Sequence, residues 1–583
     1  MQKNQKYSLV LATFFFLLGL FFLSLSSGRI HASLQDYAGK NAPKSIELPY
    51  KAAFDAVYVN AVYTLNFSDR DWDLARIAVI PDNCVRSIEM NGRAVDLTSF
   101  SPSALCNFEH GLTFDASTYI KSGTNKMKIT VHNKGRSYGL NVRLNSITDI
   151  VGKMLLGLSA ALLMYWVARI SSFDTITTCI WLASLPYFLY WLFYFSNSAY
   201  TNDLGGHINY IRYIASNPFD PYGYNGRERW HPPLYYYFAG LVYRISSGLF
   251  TVDPLSSVRV FSLALYQIFC WYGLRTLCVI IKNKTPAFYA GVALIIFWPV
   301  SILMATRINN DIAMYAAWSA SFYYLTVWYT EPTLHRFRYV VATLAICLMI
   351  KSNAVIPVGI ASATLFYSLI KQKISWRYFI AKAQLVNAIL FLFGVFINIG
   401  RLLFREESNL HFGGAGGGVV TFASLFGFNL AYFIDHPFNT IWKEPTFLNN
   451  FLKTTLYGEF SFNHPDIALV LNVILLLFLA FLVLITAINI ISDRSLLDKL
   501  LPYLLGWIVP LLGVIAFYAI KRMEVCQDFR FALPLLVPMC ILYAYNLDRI
   551  RPNKFMLIPY WLGISISLAL PLLASLFYLM QYL

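Results

Sequence analysis

From about residue 148 onward the chain is a series of apolar segments separated by short polar loops. No other feature constrains the fold as strongly. A helix needs about twenty apolar residues to cross the hydrocarbon of a bilayer, and only helices or closed barrels satisfy their backbone groups there. The segments lie near 148–169, 175–196, 256–280, 285–304, 311–330, 337–350, 352–370, 383–403, 467–492, 498–520, 531–547 and 557–580. One more apolar run, KYSLVLATFFFLLGLFFLSLSSG, overlaps the basic start MQKNQK. Together they predict an α-helical polytopic membrane protein with about thirteen transmembrane helices. The composition agrees: 13% of residues are charged, against roughly a quarter in an ordinary soluble domain.

The first apolar run is longer than a signal-peptide core, and no small-x-small cleavage site follows it. Residues 1–27 therefore read as an uncleaved transmembrane anchor with a cytoplasmic N-terminus. Residues 28–147 differ. Short alternating runs (AVYVNAVYTLNF, ARIAVIP, KMKITVHN, GLNVRLN) are separated by turn signals at PDN, MNGR, KSGTN and NKGR. That is the signature of strands, and it predicts an all-β sandwich on the outer face of the membrane. Cys84 and Cys106 both lie in this polar region and can pair if the compartment is oxidising, a question that spacing alone leaves open. The remainder, 148–583, is the transmembrane domain.

The net charge of +16 would point to nucleic acid in a soluble protein. Here the basic residues fall in ARISSFDT, KNKTP, TEPTLHRFR, KQKISWR, SDRSLLDK and DRIRPNK, all on one side if the N-terminus is cytoplasmic. That is the positive-inside pattern, and no nucleic-acid partner is expected. The same parity puts the loops 197–255 and 404–466, the segment Arg307–Asp311 and the segment Glu524–Arg530 outside. The loop 404–466 carries a glycine run at 413–418, and five His (His207, His231, His411, His436, His464) lie in outer loops.

The polar stretch TNDLGGHINYIRYIASNPFDPYGYNGRERWHPPLYYYFAG at 201–240 stands out between apolar neighbours. Asp203 and His207 share a face if it is helical. PPLYYYFAGLVYRISSG is amphipathic and aromatic, so it is expected to lie along the interface rather than cross it. Four constellations then share the outer side: Asn202-Asp203 with His207 and Tyr210; His231-Pro232-Pro233-Leu234-Tyr235-Tyr236; Arg307-Ile308-Asn309-Asn310-Asp311; and Asp528-Phe529-Arg530. Lys351, in MIKSNAVIP, falls on the same side. Ionisable residues at helix mouths argue for a water-filled cavity. Plainer roles stand beside this one: a helix-terminal charge for Asp203, a cap for Asp311, an interfacial snorkel for Arg530 with Asp528 as its partner, and an aromatic belt for Tyr235 to Tyr237.

As a set these constellations resemble the GT-C superfamily of integral membrane glycosyltransferases, in the branch near the protein O-mannosyltransferases and the lipid A aminoarabinose transferases. The likeness rests on Asp203 in the first outer loop, His231 to Tyr236 closing it, Asp311 at the second, and DFRFALP as a late-loop element, and it covers 148–583. The chain departs from the mannosyltransferases in having Asn-Asp where they have Asp-Glu, and in carrying the anchor and β-module. IAVIPDNCVRSIEMNGRAVDL with IKSGTNKMKITVHN resembles the jelly-roll, galactose-binding-like modules, which leaves open whether this module binds sugar or is structural.

The resemblance implies transfer of a sugar from a polyprenyl-phosphate donor to a glycan, lipid or protein acceptor by an inverting displacement, in a bacterial inner (plasma) membrane. It makes Asp203 the general base, with His207 and Asp311 as its catalytic companions. Arg229, His231, Tyr235, Asp528, Arg530 and Lys351 become candidates to bind substrate and phosphate, as do Arg212 and Arg227. A divalent metal ion held by Asp203, His207 and Asp311 is a further expectation, supported in spacing only by Asp203-x-x-x-His207. An O-antigen-type ligase or polymerase shares donor class and architecture. A transporter or flippase of lipid-linked glycans would instead place its ionisable groups at the midplane of broken, repeated helices.

Overall fold

The computed structural model of the chain describes residues 3–25, 31–36, 43–46, 48, 50–53, 60–69, 74–81, 83–106, 111–132, 137–195, 203–226, 228–249, 254–375, 377–381, 384–405, 420–438, 446–521, 524–551 and 554–581. Asn202, Arg227, His411 and the glycine run at 413–418 lie outside them. The chain forms two compact units: Met1–Phe173 with Leu185–Thr201 and Leu241–Arg259, and Asp174–Ser184 with Asn202–Gly240 and Val260–Leu583.

Among the described residues of the first unit there are ten strands: β1 (His31–Asp36), β2 (Lys44–Ile46), β3 (Tyr50–Ala53), β4 (Asn60–Asp69), β5 (Leu74–Pro81), β6 (Cys84–Met90), β7 (Arg93–Ala94), β8 (Leu112–Asp115), β9 (Gly123–His132) and β10 (Ser137–Ser146). They pair as two sheets, β2-β1-β4-β9-β6-β7 and β3-β10-β5-β8. Alternation on β9 buries Met127 and Ile129, which join Tyr63, Leu65 and Met90 of the same sheet and Ile77 and Val79 of the other in one core. Cys84 and Cys106 are disulfide-bonded.

The turn motifs in this region serve one another. Asn91 and Gly92 take positive φ, 51° and 82°, which a tight β6–β7 hairpin requires. The Asn91 amide then donates to Asn125 Oδ1 (2.7 Å) and to the Tyr119 carbonyl (2.9 Å), and its Oδ1 accepts from Lys126 N–H (3.0 Å). Asn125 is fully buried; it donates to the Lys121 carbonyl (2.8 Å) and accepts from Lys121 N–H (3.0 Å). The NG turn and the GTN turn are thus one hydrogen-bonded assembly.

Helices of ten or more residues among the described ones are α1 (Lys3–Leu25), α2 (Ile147–Ile170), α3 (Thr175–Tyr194), α4 (Leu204–Ser216), α5 (Leu234–Leu249), α6 (Pro254–Ile280), α7 (Pro286–Phe297), α8 (Asp311–Thr330), α9 (Leu334–Ile350), α10 (Val355–Ile370), α11 (Gln384–Asn398), α12 (Phe447–Tyr457), α13 (Pro465–Ser492), α14 (Ser495–Lys521), α15 (Leu536–Ile550) and α16 (Leu557–Met580). Among the described residues, eight helical stretches are long and apolar enough to cross a bilayer: Ile150–Ile170, Thr175–Tyr194, Pro254–Ile280, Ser352–Ile370, Pro465–Ser492, Ser495–Lys521, Phe529–Ile550 and Leu557–Met580. Three further apolar helices are shorter: Tyr7–Phe22, Pro286–Phe297 and Gln384–Asn398. The chain is therefore a multi-pass membrane protein with a two-sheet β region near its N-terminus, the fold class expected. The expected span at 285–304 is broken: α7 ends at Phe297 and a short turn of helix, Ser301–Met304, follows Pro299. Helix α8 is buried on nearly every side, so it faces protein rather than lipid.

Helix α1 is not a lone anchor. Ser159 of α2 donates to the Ala12 carbonyl (2.7 Å), and a Cβ at Gly19 would come within 3.0 Å of the Gly152 carbonyl oxygen. The contacts run in opposite order along the two helices, so they pack antiparallel through small residues, as apolar helices without a hydrophobic drive do. Strand gives way to helix at residue 147, and the first unit continues past it to Phe173.

The Asn91–Asn125 assembly yields a stability prediction. Asn125→Ala removes the buried amide that joins the Lys121 N–H and carbonyl to the half-buried Asn91 amide, a loss of about 1–3 kcal/mol. Pulse proteolysis of the β region in the full-length protein across a urea series measures it. A midpoint equal to wild type would contradict the assignment.

Candidate active site

The second unit gathers one set of buried ionisable groups from segments far apart in sequence. The segment DLGGH builds the first part. Asp203 is the N-cap of α4 in a left-handed conformation (φ 54°), and its side chain makes no capping bond to the helix. A non-glycine residue in that region carries strain of order 1–3 kcal/mol, and such residues cluster at functional sites. Gly206 lies one turn in. A Cβ there would come within 2.6 Å of Glu228 Cγ and 2.9 Å of Glu228 Oε1, so the glycine gives the Glu228 side chain its place against the start of α4. The helix dipole favours a carboxylate at that end.

Glu228 binds His231, Oε2 to Nε2 at 3.0 Å, within the turn that precedes Pro232-Pro233 and α5. The His231 ring lies parallel to that of His207, 6.1 Å between centroids. His207 Nδ1 hydrogen-bonds the Tyr236 hydroxyl at 2.9 Å. Tyr236 stacks on Tyr210 (4.0 Å), and Tyr210 on Tyr224 (4.5 Å). One pile of rings therefore joins α4, the loop and α5. Burial holds His207 down to about 3, so its imidazole is neutral at physiological pH. Burial pushes Glu228 up, but its hydrogen bond to His231 and the charges of His231, His207 and Lys351 outweigh burial and hold it at about 2.

The second part is at the start of α8. Asn309 Oδ1 accepts from Ile312 N–H (3.3 Å) and starts the helix, which leaves Asp311, 5% exposed, for another partner. That partner is Lys351, ion-paired with Asp311 through Oδ1. Lys351 is in extended conformation between α9 and a 3-10 turn at Ser352–Ala354, and the break in the helix is what presents its side chain. Both charges act on His207, which places the pair beside the ring pile.

The third part is the segment Asp528-Phe529-Arg530. Asp528 caps its 3-10 turn, accepting from Arg530 N–H at 2.9 Å. Thr454 of α12 accepts from Phe529 N–H (2.9 Å), and the Tyr315 hydroxyl of α8 donates to the Arg530 carbonyl (2.7 Å). So fastened, the Arg530 guanidinium reaches Glu459 Oε1 (3.3 Å) and Asp528 Oδ2 (3.6 Å). Four carboxylates act on it: Glu459, Asp528, Asp311 and Asp203. Burial pushes Glu459 up; Arg530 pulls it back and Asp528 pushes it up again, with a net value of about 8.

The structure thus brings Asp203, His207, His231, Asp311, Lys351, Asp528 and Arg530 into one electrostatic neighbourhood. Arg229 stacks on Trp230 at 4.1 Å. Tyr235, buried, lines an apolar groove together with Phe261 and the alanines of α8. Glu228, Glu459 and Arg307 belong to the cluster and were not singled out as site residues. Glu459 had one signal, its place after Gly458 in an otherwise apolar-aromatic YGEF. Two of the expected metal ligands have protein partners. His207 Nδ1 is taken by Tyr236 and Asp311 by Lys351. Among the described residues no three His, Cys, Asp or Glu side chains come together as ligands.

The two displaced carboxyls act on stability with opposite sign. Glu228 is lowered from 4.5, so its contribution is present above about pH 4.5 and is lost as pH falls toward 2. Glu459 is raised from 4.5, so its contribution is present below about pH 4.5 and is lost as pH rises through 8. Melting temperature against pH, measured for Glu228→Gln and Glu459→Gln, is expected to flatten the acid limb in the first and the limb between pH 4.5 and 8 in the second.

No family model matches this chain, and no curated protein matches it. Among solved structures, ArnT from Cupriavidus metallidurans in the apo state matches over 70% of this chain and 79% of that one, at 11% identity and a TM-score of 0.30.

Proposed function

We propose that this protein is a membrane glycosyltransferase that moves a sugar from a polyprenyl-phosphate donor to an acceptor hydroxyl or amine. One observation carries the reading: a buried cluster of acids and cations stands at the head of an apolar groove. The groove, about 250 Å³, is lined by Ala313, Ala316, Ala317 and Ala320 of α8 and by Ile346 and Ile350 of α9, with Tyr235 and Phe261 opposite. The alanines recur at i, i+3, i+4 and i+7, so they form one face of α8 running away from Asp311. Ile350 directly precedes Lys351. An amphiphile with a charged head and a hydrocarbon tail matches that combination, as neither a polar nor a wholly apolar substrate does.

The chemistry follows from the groups at hand. The acceptor oxygen or nitrogen attacks the anomeric carbon from the face opposite the phosphate. The carbon–oxygen bond to phosphate breaks with its electron pair on the phosphate oxygen, and the acceptor proton passes to a base. Asp203 is that base: it is partly exposed, held in a strained turn, and not engaged in capping. Tyr236, neutral His207, His231 and Glu228 form the wall that positions it. The departing phosphate needs cations aimed at it before the reaction, and Lys351, Arg530 and His231 are candidates. Asp311 and Asp528 hold two of these cations in place.

Orientation follows the basic loops, with the N-terminus cytoplasmic and the loops bearing Asp203, Asp311 and Arg530 on the opposite side. The Cys84–Cys106 disulfide supports an oxidising compartment for the β region.

Two measurements test the proposal. Transfer from labelled polyprenyl-phosphate sugars in native membranes is expected to fall about 10²–10⁴-fold in Asp203→Asn; equal turnover would remove Asp203 as base. Separately, Lys128→Cys in the β region is expected to react with an impermeant thiol reagent in intact spheroplasts. Lys371→Cys is expected to react only after permeabilisation. Reversal of that order would overturn the orientation.

A further inference from the structure

We infer that Arg307 and Asn310 form an oxyanion subsite, in which a phosphate group sits side-on against the Arg307 guanidinium. Arg307 is 3% exposed and stands in the loop before α8. Its guanidinium is held flat. The Phe460 ring lies 4.9 Å from its central carbon, and Nη1 faces the Met304 sulfur at 3.6 Å. On the far side the chain passes at Gly458, in a positive-φ conformation, and a Cβ there would stand 3.7 Å from Nη2.

The nitrogens without a hydrogen-bond partner among the described residues are Nε and Nη2. They are the two donors of a single edge, the edge that receives a phosphate or carboxylate through two parallel hydrogen bonds. Asn310, fully buried one turn along, has neither its amide nitrogen nor its amide oxygen satisfied, whereas its neighbour Asn309 is used to start α8. A buried unpaired polar group costs about 1–3 kcal/mol, and more if charged. Two such residues together mark a place where a ligand or water completes the bonding.

The other cations of the site are differently placed. Lys351 is paired with Asp311, and Arg530 lies between Glu459 and Asp528. Asp528, Arg530, Glu459 and Tyr315 act electrostatically on Arg307, and Phe460 against its guanidinium follows Glu459 in the chain, so the subsite adjoins the Asp528–Arg530–Glu459 group. Arg307, rather than Arg530, then supplies the bidentate grip, and Arg530 serves to set the local charge. As a seat for the donor phosphate the inference rests on the polyprenyl-phosphate reading; as an oxyanion subsite it does not.

The test uses the full chain in lipid nanodiscs with three probes: a polyprenyl monophosphate, the matching polyprenol, and inorganic phosphate. Wild type is expected to bind the monophosphate at least tenfold more tightly than the polyprenol, with inorganic phosphate competing. Arg307→Lys keeps the charge but loses the two-donor edge, and Asn310→Asp places a negative charge in the subsite. Each is expected to lose at least tenfold for the monophosphate and nothing for the polyprenol. Melting without probe establishes folding, and if Arg307→Lys does not fold, Asn310→Asp decides alone. Unchanged monophosphate binding in the folded variants overturns the subsite while leaving the donor reading intact. Inorganic phosphate bound in an Arg307-dependent way, with no preference for polyprenyl phosphate, upholds the subsite and removes the lipid donor. No phosphate binding of either kind by wild type overturns the subsite.

Discussion

Arg530 is 9% exposed and carries a full charge, and much of the site is arranged to make that tolerable. Removing a guanidinium from water costs several kcal/mol unless a counter-charge meets it. Asp528 supplies that counter-charge; Glu459, pushed up to about 8 by burial, stands on the other side, and the Asp528–Arg530 backbone is fastened by Thr454 and Tyr315. The same rule governs Asp311 and Lys351. Each pair makes the other possible, because every charge added lowers the cost of burying a neighbour of opposite sign. A site so constructed is rigid before any ligand arrives, which suits a reaction whose barrier is lowered by fixed charges rather than by mobile water.

Beside this lattice the ring pile of Tyr224, Tyr210, Tyr236, His207 and His231 gives the loop between α4 and α5 a definite shape without a long run of regular structure. Stacked rings are stiff and lose little entropy on packing, and pairs of this kind are worth roughly 0.5–1.5 kcal/mol beyond the area they bury. Beside them Glu228 is seated against Gly206, and Asp203 starts the same helix with positive φ.

Much of this was visible in one dimension. The positions of the apolar segments, the change of character at residue 147, the NG and GxN turns, and the polar run at 201–240 are local properties of composition and period. Asp311 and Arg530 could be singled out because a charge beside apolar residues is conspicuous, and Asp203 and His207 because they lie four apart in a polar run between apolar segments. Glu228 was harder: it sits among other charged residues in a polar loop, and nothing local tells it from Arg227 or Arg229. Arg307 was visible as part of RINND, yet its importance lies in which of its nitrogens lack partners, and no spacing encodes that.

By itself, then, the sequence determined that the chain spans a membrane, that strands precede most of the helices, and which segments carry charge at helix ends. These follow from hydropathy and from the periods of helix and strand, which need only neighbouring residues. The tertiary structure alone decided that Asp311 meets Lys351 and that Glu459 and Asp528 flank Arg530. It also decided that Arg307 keeps one open edge and that an alanine face runs from the charged cluster into an apolar groove. Those facts depend on distances between residues tens to hundreds of positions apart, set by how helices pack and where charges can afford to be buried.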